Sequence, residues 1–134
     1  MKHIHVACAV IEQNGRVLVT QRSAAMSLPL KWEFPGGKID AGESSDACLR
    51  RELVEELSIR VNINRALPSC THHYSTFVVT LHPFICSILS GEITLHEHAA
   101  CCWLAPEELC LLDWAEADLP VINSYISNLT AGSL

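Results

Sequence analysis

No stretch of the sequence approaches the roughly 20 consecutive apolar residues needed to cross a bilayer, and the N-terminus lacks the apolar core and cleavage site of a secretory signal. A membrane role is therefore not expected, and the chain is expected in the cytoplasm. Positive charge is also scarce. Nine Lys and Arg stand against fifteen Asp and Glu, for a net charge of −6, which argues against gripping a polyanion such as duplex nucleic acid by bulk electrostatics. A small phosphate-bearing substrate stays open if cations bridge the two. The seven cysteines are odd in number and show no Cys-x-x-Cys spacing, so they read as reduced, small core residues. Cys101 and Cys102 are adjacent, but neighbours in a strand point to opposite faces, so no shared role is expected of them. Repeats, linkers and low-complexity stretches are absent too, and 134 residues is the size of one domain, expected to span 1–134.

What is present reads as strand, strand, long loop, helix, strands, helix, helix. Ile4 to Ile11 and Arg16 to Gln21 are apolar and β-branched around Gln13-Asn14-Gly15, which predicts a hairpin. Arg22 to Gly42 carries Pro29, Pro35, Gly36, Gly37 and Gly42 and is long for a mere connection, which marks it as a functional segment. Ser44 or Ser45 then caps a helix running to Leu57, with Leu49, Leu53 and Leu57 as its buried stripe. Arg60 to Ile63, Tyr74 to Leu89 and Ala99 to Leu104 read as strands. Pro106 opens a short helix to Leu111 and Pro120 a last one to about Leu129. This order predicts a mixed sheet covered by helices.

At 100° per residue, Glu52, Glu55 and Glu56 fall in one arc beside that leucine stripe. Like charges at i, i+3 and i, i+4 each destabilise a helix by roughly 0.2–0.5 kcal/mol, so something should offset them. A hard divalent cation such as Mg²⁺, which takes carboxylates together with substrate phosphates, would do so. Taken alone, a solvated acidic face paired with Arg50 and Arg51 explains the spacing equally well.

The wider pattern is Gly37-x5-Glu43-x7-Arg51-Glu52-Leu53-Val54-Glu55-Glu56-Leu57-Ser58-Ile59. It resembles the Nudix box, spanning 37–59, with one departure: Ser58 stands where the family usually has a glycine. Six fixed matches in one register have a chance probability on the order of 10⁻⁷. Ser58 affects only a helix-ending position that often takes positive φ, at a cost of about 1 kcal/mol or less. The segment Lys31-Trp32-Glu33-Phe34-Pro35-Gly36-Gly37-Lys38, Trp103 and Ala117-Asp118-Leu119-Pro120 are similar to the MutT and CTP pyrophosphohydrolase group of that family.

The resemblance implies an α/β/α sandwich around a mixed β-sheet. It also implies metal ligation by Glu52, Glu55 and Glu56 with the backbone carbonyl of Gly36, a supporting Glu43, and an Arg51 that orients the glutamates. Glu97 would supply the late-loop carboxylate that binds metal or activates water. Arg22 and Lys38 become candidates for phosphate contacts. His96 and His98 flank Glu97 as ligands, bases or plain surface residues. The implied reaction is in-line attack of water on a nucleoside triphosphate, giving the monophosphate and pyrophosphate, with Mg²⁺ as cofactor and Mn²⁺ as a substitute. The chain would act as a monomer or homodimer.

For the base, Asp118 stands where the 8-oxo-dGTP-cleaving enzymes resemble one another in an asparagine. An ionised Asp only accepts hydrogen bonds, which suits the amino group of cytosine. A buried, protonated Asp would still pair with an oxidised purine. Ile4, Val6, Phe34, Phe77 and Val79 are candidate walls of the base pocket, with ordinary core packing as the competing role. A domain that senses nucleotides without catalysis is the rival of another class, and the intact Glu52, Glu55 and Glu56 argue against it.

Overall fold

A computed structural model describes residues 1–132 of the chain; the last two residues of the expected domain lie outside it. Among the described residues eight strands form one mixed sheet. The central pair, β1 (Lys2–Gln13) and β7 (Phe77–Ser90), is parallel from Lys2↔Phe77 to Ile11↔Cys86, and every other pairing between two of the described strands is antiparallel. β2 (Arg16–Gln21) follows β1 through a hairpin whose Asn14 and Gly15 both take positive φ, as a two-residue type I′ turn requires. β3 (Trp32–Glu33) and β8 (Ala100–Leu104) flank β2, and β4 (Gly36–Lys38) pairs β1. β5 (Arg60–Ala66) and β6 (Cys70–His73) share β7, one along each half.

Strand alternation divides the core into two layers. Cys8 and Val10 of β1 and Val17 and Val19 of β2 face Val121, Ile122 and Tyr125 of the last helix, α2 (Leu119–Gly132). Ala7, Ala9, Ile11 and Leu18 point the other way, onto Leu49, Leu53 and Leu57 of α1 (Ser45–Leu57). The sheet between two helices is the expected α/β/α sandwich. Cys101 and Cys102 likewise split between the layers.

Ser44 is the N-cap of α1, its Oγ accepting from the Ala47 N–H at 3.3 Å. Ser58 ends the helix in the left-handed region (φ 58°), and its N–H and that of Ile59 bond back to Val54 and Leu53. Several elements differ from expectation, beginning with the short strands β3 and β4 inside the predicted 22–42 loop and the unforeseen β6. The strand predicted from Tyr74 to Leu89 starts only at Phe77 and runs to Ser90, because the Tyr74 N–H bonds the Phe77 carbonyl and closes a hairpin with the preceding β6. Residues Pro106–Leu111 form a 3₁₀ helix rather than an α-helix. The last helix starts at Leu119, after a 3₁₀ turn over Glu116–Asp118, and runs past Leu129 to Gly132. Among the described residues no helix is long and apolar enough to cross a membrane.

Candidate active site

A cavity of about 520 Å³ opens between the exposed edge of α1, the β3–β4 loop, the 22–31 loop and the 3₁₀ turn before α2. Two ends of different chemistry meet in it. The polar end is lined by Arg22, Glu33, Lys38, Glu52, Glu56 and Glu97, the apolar end by Ile4, Val6, Phe34, Phe77 and Val79 around Asp118.

At the polar end the leucine stripe of α1 is fully buried, so rotation of the helix is fixed and Glu52 and Glu56 are carried to the cavity. Gly37 lies so close under Glu52 that a Cβ there would stand 2.2 Å from the carboxylate carbon. A Cβ on Gly36 would stand 1.9 Å from the Ala7 carbonyl oxygen. Gly36 is therefore required by close approach to backbone, whereas a Cβ on Gly37 would displace the Glu52 carboxylate. Arg51 holds the cluster from outside. Its guanidinium donates to Glu43 at 2.8 and 2.9 Å, to Glu52 at 3.0 Å and to Glu55 at 3.2 Å, with Asp40 at 3.3 Å. The Arg51 hydrogen bonds bring the Glu43 carboxyl down to about 2. Glu55 points along this rim, with 56% of its side chain exposed, and does not line the cavity as placed.

Glu56 is the unbalanced member. Burial, with the charges of Glu52, Glu33 and Glu97 around it, pushes its carboxyl up to about 8. Its Oε2 is buried without a hydrogen-bond partner, one of two such side-chain atoms among the described residues. Burial also raises Glu52. Crowded carboxyl groups, one of them with an oxygen that lacks any donor, are what a divalent cation neutralises. The donor chemistry thus suits a hard metal ion, with Glu52 and Glu56 at hand and no three such side chains converged on one point among the described residues.

Arg22 is committed within the protein. It donates to Glu33 at 2.8 Å and to the Ser27 carbonyl and hydroxyl at 2.6 and 3.1 Å, folding the 22–31 loop around its guanidinium. Lys38 is exposed at the cavity rim. His98 is buried, with Nε2 3.0 Å from the second Glu33 oxygen and Nδ1 unpartnered. His96 is exposed and bonds the Ser58 hydroxyl at 2.7 Å.

At the apolar end Asp118 is 6% exposed, and its Oδ2 accepts from the Phe34 N–H at 3.0 Å. Burial pushes this carboxyl up to about 8, the Phe34 hydrogen bond opposing. Sequence reasoning missed Tyr74, which stacks on Phe77 at 4.8 Å and accepts from the Ala117 N–H at 3.1 Å, and Cys8 on the cavity wall. It also missed the central place of Glu33, whose only signal was its position in the Trp32-Glu33-Phe34-Pro35 segment.

A sheet between two helices, with a glutamate-bearing helix facing a glycine loop across a two-ended cavity, defines a Nudix hydrolase, and the NUDIX domain family matches residues 1–125. The chain belongs to that family. Among its relatives, the CTP pyrophosphohydrolase of Escherichia coli is 35% identical over 127 residues, covering 95% of this chain and 94% of the relative. The 8-oxo-dGTP diphosphatase of the same organism is 29% identical over 123 residues, covering 91% and 95%. The solution structure of the E. coli ORF135 protein superposes with a TM-score of 0.84 at 34% identity, covering 98% of this chain and 94% of that one. The protein is an enzyme, a hydrolase of nucleotides, and members of its family use divalent metal ions.

Proposed function

We propose that the protein is a single-domain pyrophosphohydrolase cleaving a cytosine nucleoside triphosphate, CTP, dCTP or a modified form, to the monophosphate and pyrophosphate. The observation that carries this reading is the continuity of the cavity from the Glu52 and Glu56 carboxylates to the buried Asp118. Mg²⁺ is the proposed cofactor, replaceable by Mn²⁺. When bound it neutralises phosphate charge and lowers the pKa of water. Glu52, Glu56 and Glu97 would hold it, with the Gly36 carbonyl and with Glu55 turned inward from the rim. Arg51 and Glu43 fix the direction of Glu52 through their ion pair. Lys38 would meet the phosphate tail, as would Arg22 on exchanging part of its bond to Glu33.

Phe34, Phe77, Ile4, Val6 and Val79 provide apolar faces for a base, and Asp118 reads its edge. The Phe34 N–H fixes one Asp118 oxygen in place. In its ionised form Asp118 accepts from the cytosine amino group through its second oxygen. The relative named CTP pyrophosphohydrolase supports this choice. The second reading, an 8-oxo-dGTP diphosphatase, is favoured by the raised Asp118, since a neutral carboxyl complements an oxidised purine.

The test compares kcat/KM for CTP, dCTP, methylated dCTP and 8-oxo-dGTP with Mg²⁺ or Mn²⁺ in wild type and Asp118→Asn. The substitution keeps an acceptor for Phe34, and it is expected to shift preference from the cytosine nucleotides toward the oxidised purine. An unchanged ratio removes Asp118 from base reading. Glu52→Gln and Glu56→Gln are each expected to lower kcat by orders of magnitude, and near-normal kcat in both overturns the ligand assignment.

A further inference from the structure

On the back of the cavity wall, strands β1 and β7 carry a second cluster of chemistry-bearing side chains. Ile4 and Val6 face the cavity while the alternate residues His3 and His5 face the opposite layer, and on β7 Val79 and Leu81 alternate in the same way with Thr80 and His82. His5 Nδ1 stands 3.1 Å from His82 Nε2. His3 stacks on His5, ring centres 4.6 Å apart and 16° from parallel, and its Nε2 bonds the Thr80 hydroxyl at 2.7 Å. That hydroxyl is in turn held by Thr71 at 2.7 Å. His3 and His5 are exposed and His82 is half-buried.

We propose that His5 and His82, with His3 beside them, form a second metal site that takes a borderline divalent transition ion such as Zn²⁺, separate from the carboxylate site. Zinc bound to imidazole nitrogens at 2.0–2.1 Å in tetrahedral geometry sets them about 3.3 Å apart. The observed 3.1 Å is within a small side-chain adjustment of that. Among the described residues no three such side chains already converge on one ion, so His5 and His82 are the preset pair and His3 joins by turning its ring. A hydrogen bond donated by His3 Nε2 to Thr80 leaves Nδ1 as the ligating nitrogen, the arrangement by which outer partners orient metal-bound imidazoles. Burial and the neighbouring His5 hold His82 below the ordinary histidine value, which favours the neutral ring that binds metals. Imidazole suits Zn²⁺, Ni²⁺ and Cu²⁺, whereas Mg²⁺ seeks oxygen, so the two sites select different ions. An ion here would tie β1 to β7 directly behind the wall formed by Ile4, Val6, Val79 and Leu81.

The experiment titrates Zn²⁺ into the full chain by calorimetry with millimolar Mg²⁺ present throughout, while imidazole ¹⁵N resonances are followed by NMR. One Zn²⁺ per chain is expected, with the His5 and His82 resonances moving. His5→Ala and His82→Ala are each expected to weaken binding by about tenfold or more, and His3→Ala by less. Circular dichroism checks that the variants fold, and His5→Gln and His82→Gln replace any that do not. Zn²⁺ affinity unchanged in the doubly substituted protein, or imidazole resonances that stay fixed while Zn²⁺ binds elsewhere, as on the exposed Cys110, overturns the proposal.

Discussion

Glu56 concentrates the physical tension of this molecule in one side chain. Its carboxyl is pushed up to about 8 from an ordinary 4.5, so between these values the folded protein keeps a proton that the unfolded chain has lost. The associated stability is fully present below about 4.5 and is lost as pH rises through about 8. Asp118, raised from 3.8 to about 8, acts in the same direction. In chelator, wild-type stability is therefore expected to fall between pH 5 and pH 8. Removing the Glu56 contribution by Glu56→Gln should leave a shallower fall, with a gain at pH 8 on the order of 2 kcal/mol after discounting for solvent screening. Mg²⁺ should restore the wild type and leave Glu56→Gln much less affected. Urea melts at the two pH values, with and without Mg²⁺, measure all four quantities, and identical pH slopes for the two proteins would contradict this account. The three glutamates and Arg51 were legible from their box spacing. The inequality among them was not, because helix periodicity places Glu52, Glu55 and Glu56 in one arc but cannot say that Arg51 draws Glu55 to the rim.

Single elements show where local chemistry decides an end. Ser58 occupies a left-handed position at the close of α1, so Ser58→Gly should relieve up to about 1 kcal/mol of backbone strain. Loss of the Ser58–His96 hydrogen bond offsets part of that gain. Gly91 lies against the same turn with φ +94°, and a Cβ there would stand 2.4 Å from the Ser58 carbonyl oxygen. Gly91→Ala is therefore expected to destabilise by about 1–3 kcal/mol. Thermal melts of the two variants should move in opposite directions, and a shift of the same sign would place the strain elsewhere. The positive φ at Ser58 was foreseen from its place in the box. The β6 strand was hidden for the converse reason. Cys70-Thr71-His72-His73 has little apolar alternation, and what makes it a strand is pairing with the distant Leu81, Thr80, Val79 and Val78. The pairing across the hairpin that sets Tyr74 on Phe77 is equally absent from local sequence. So is the meeting of Glu33 with His98, 65 residues further along the chain.

The described residues form two apolar layers on one sheet, and buried residues of the central strands β1, β2 and β7 alternate between them. The layers should therefore unfold together, although side chains buried in different layers share few neighbours. Leu53 lies under α1 and Val121 under α2, both with 0% exposure. Leu53→Ala is expected to cost about 2–5 kcal/mol and Val121→Ala about 2 kcal/mol. With no shared cluster, the double substitution should equal the sum to within about 0.5 kcal/mol, through a single transition seen alike by circular dichroism and tryptophan fluorescence. Two separated transitions would mean that the layers are independent units. The kinetic counterpart distinguishes support from chemistry. Leu53 positions the glutamate helix by burial alone, so Leu53→Ala well below its melting temperature should retain much of the wild-type kcat, whereas Glu52→Gln, one residue away, should keep the melting temperature and lose turnover.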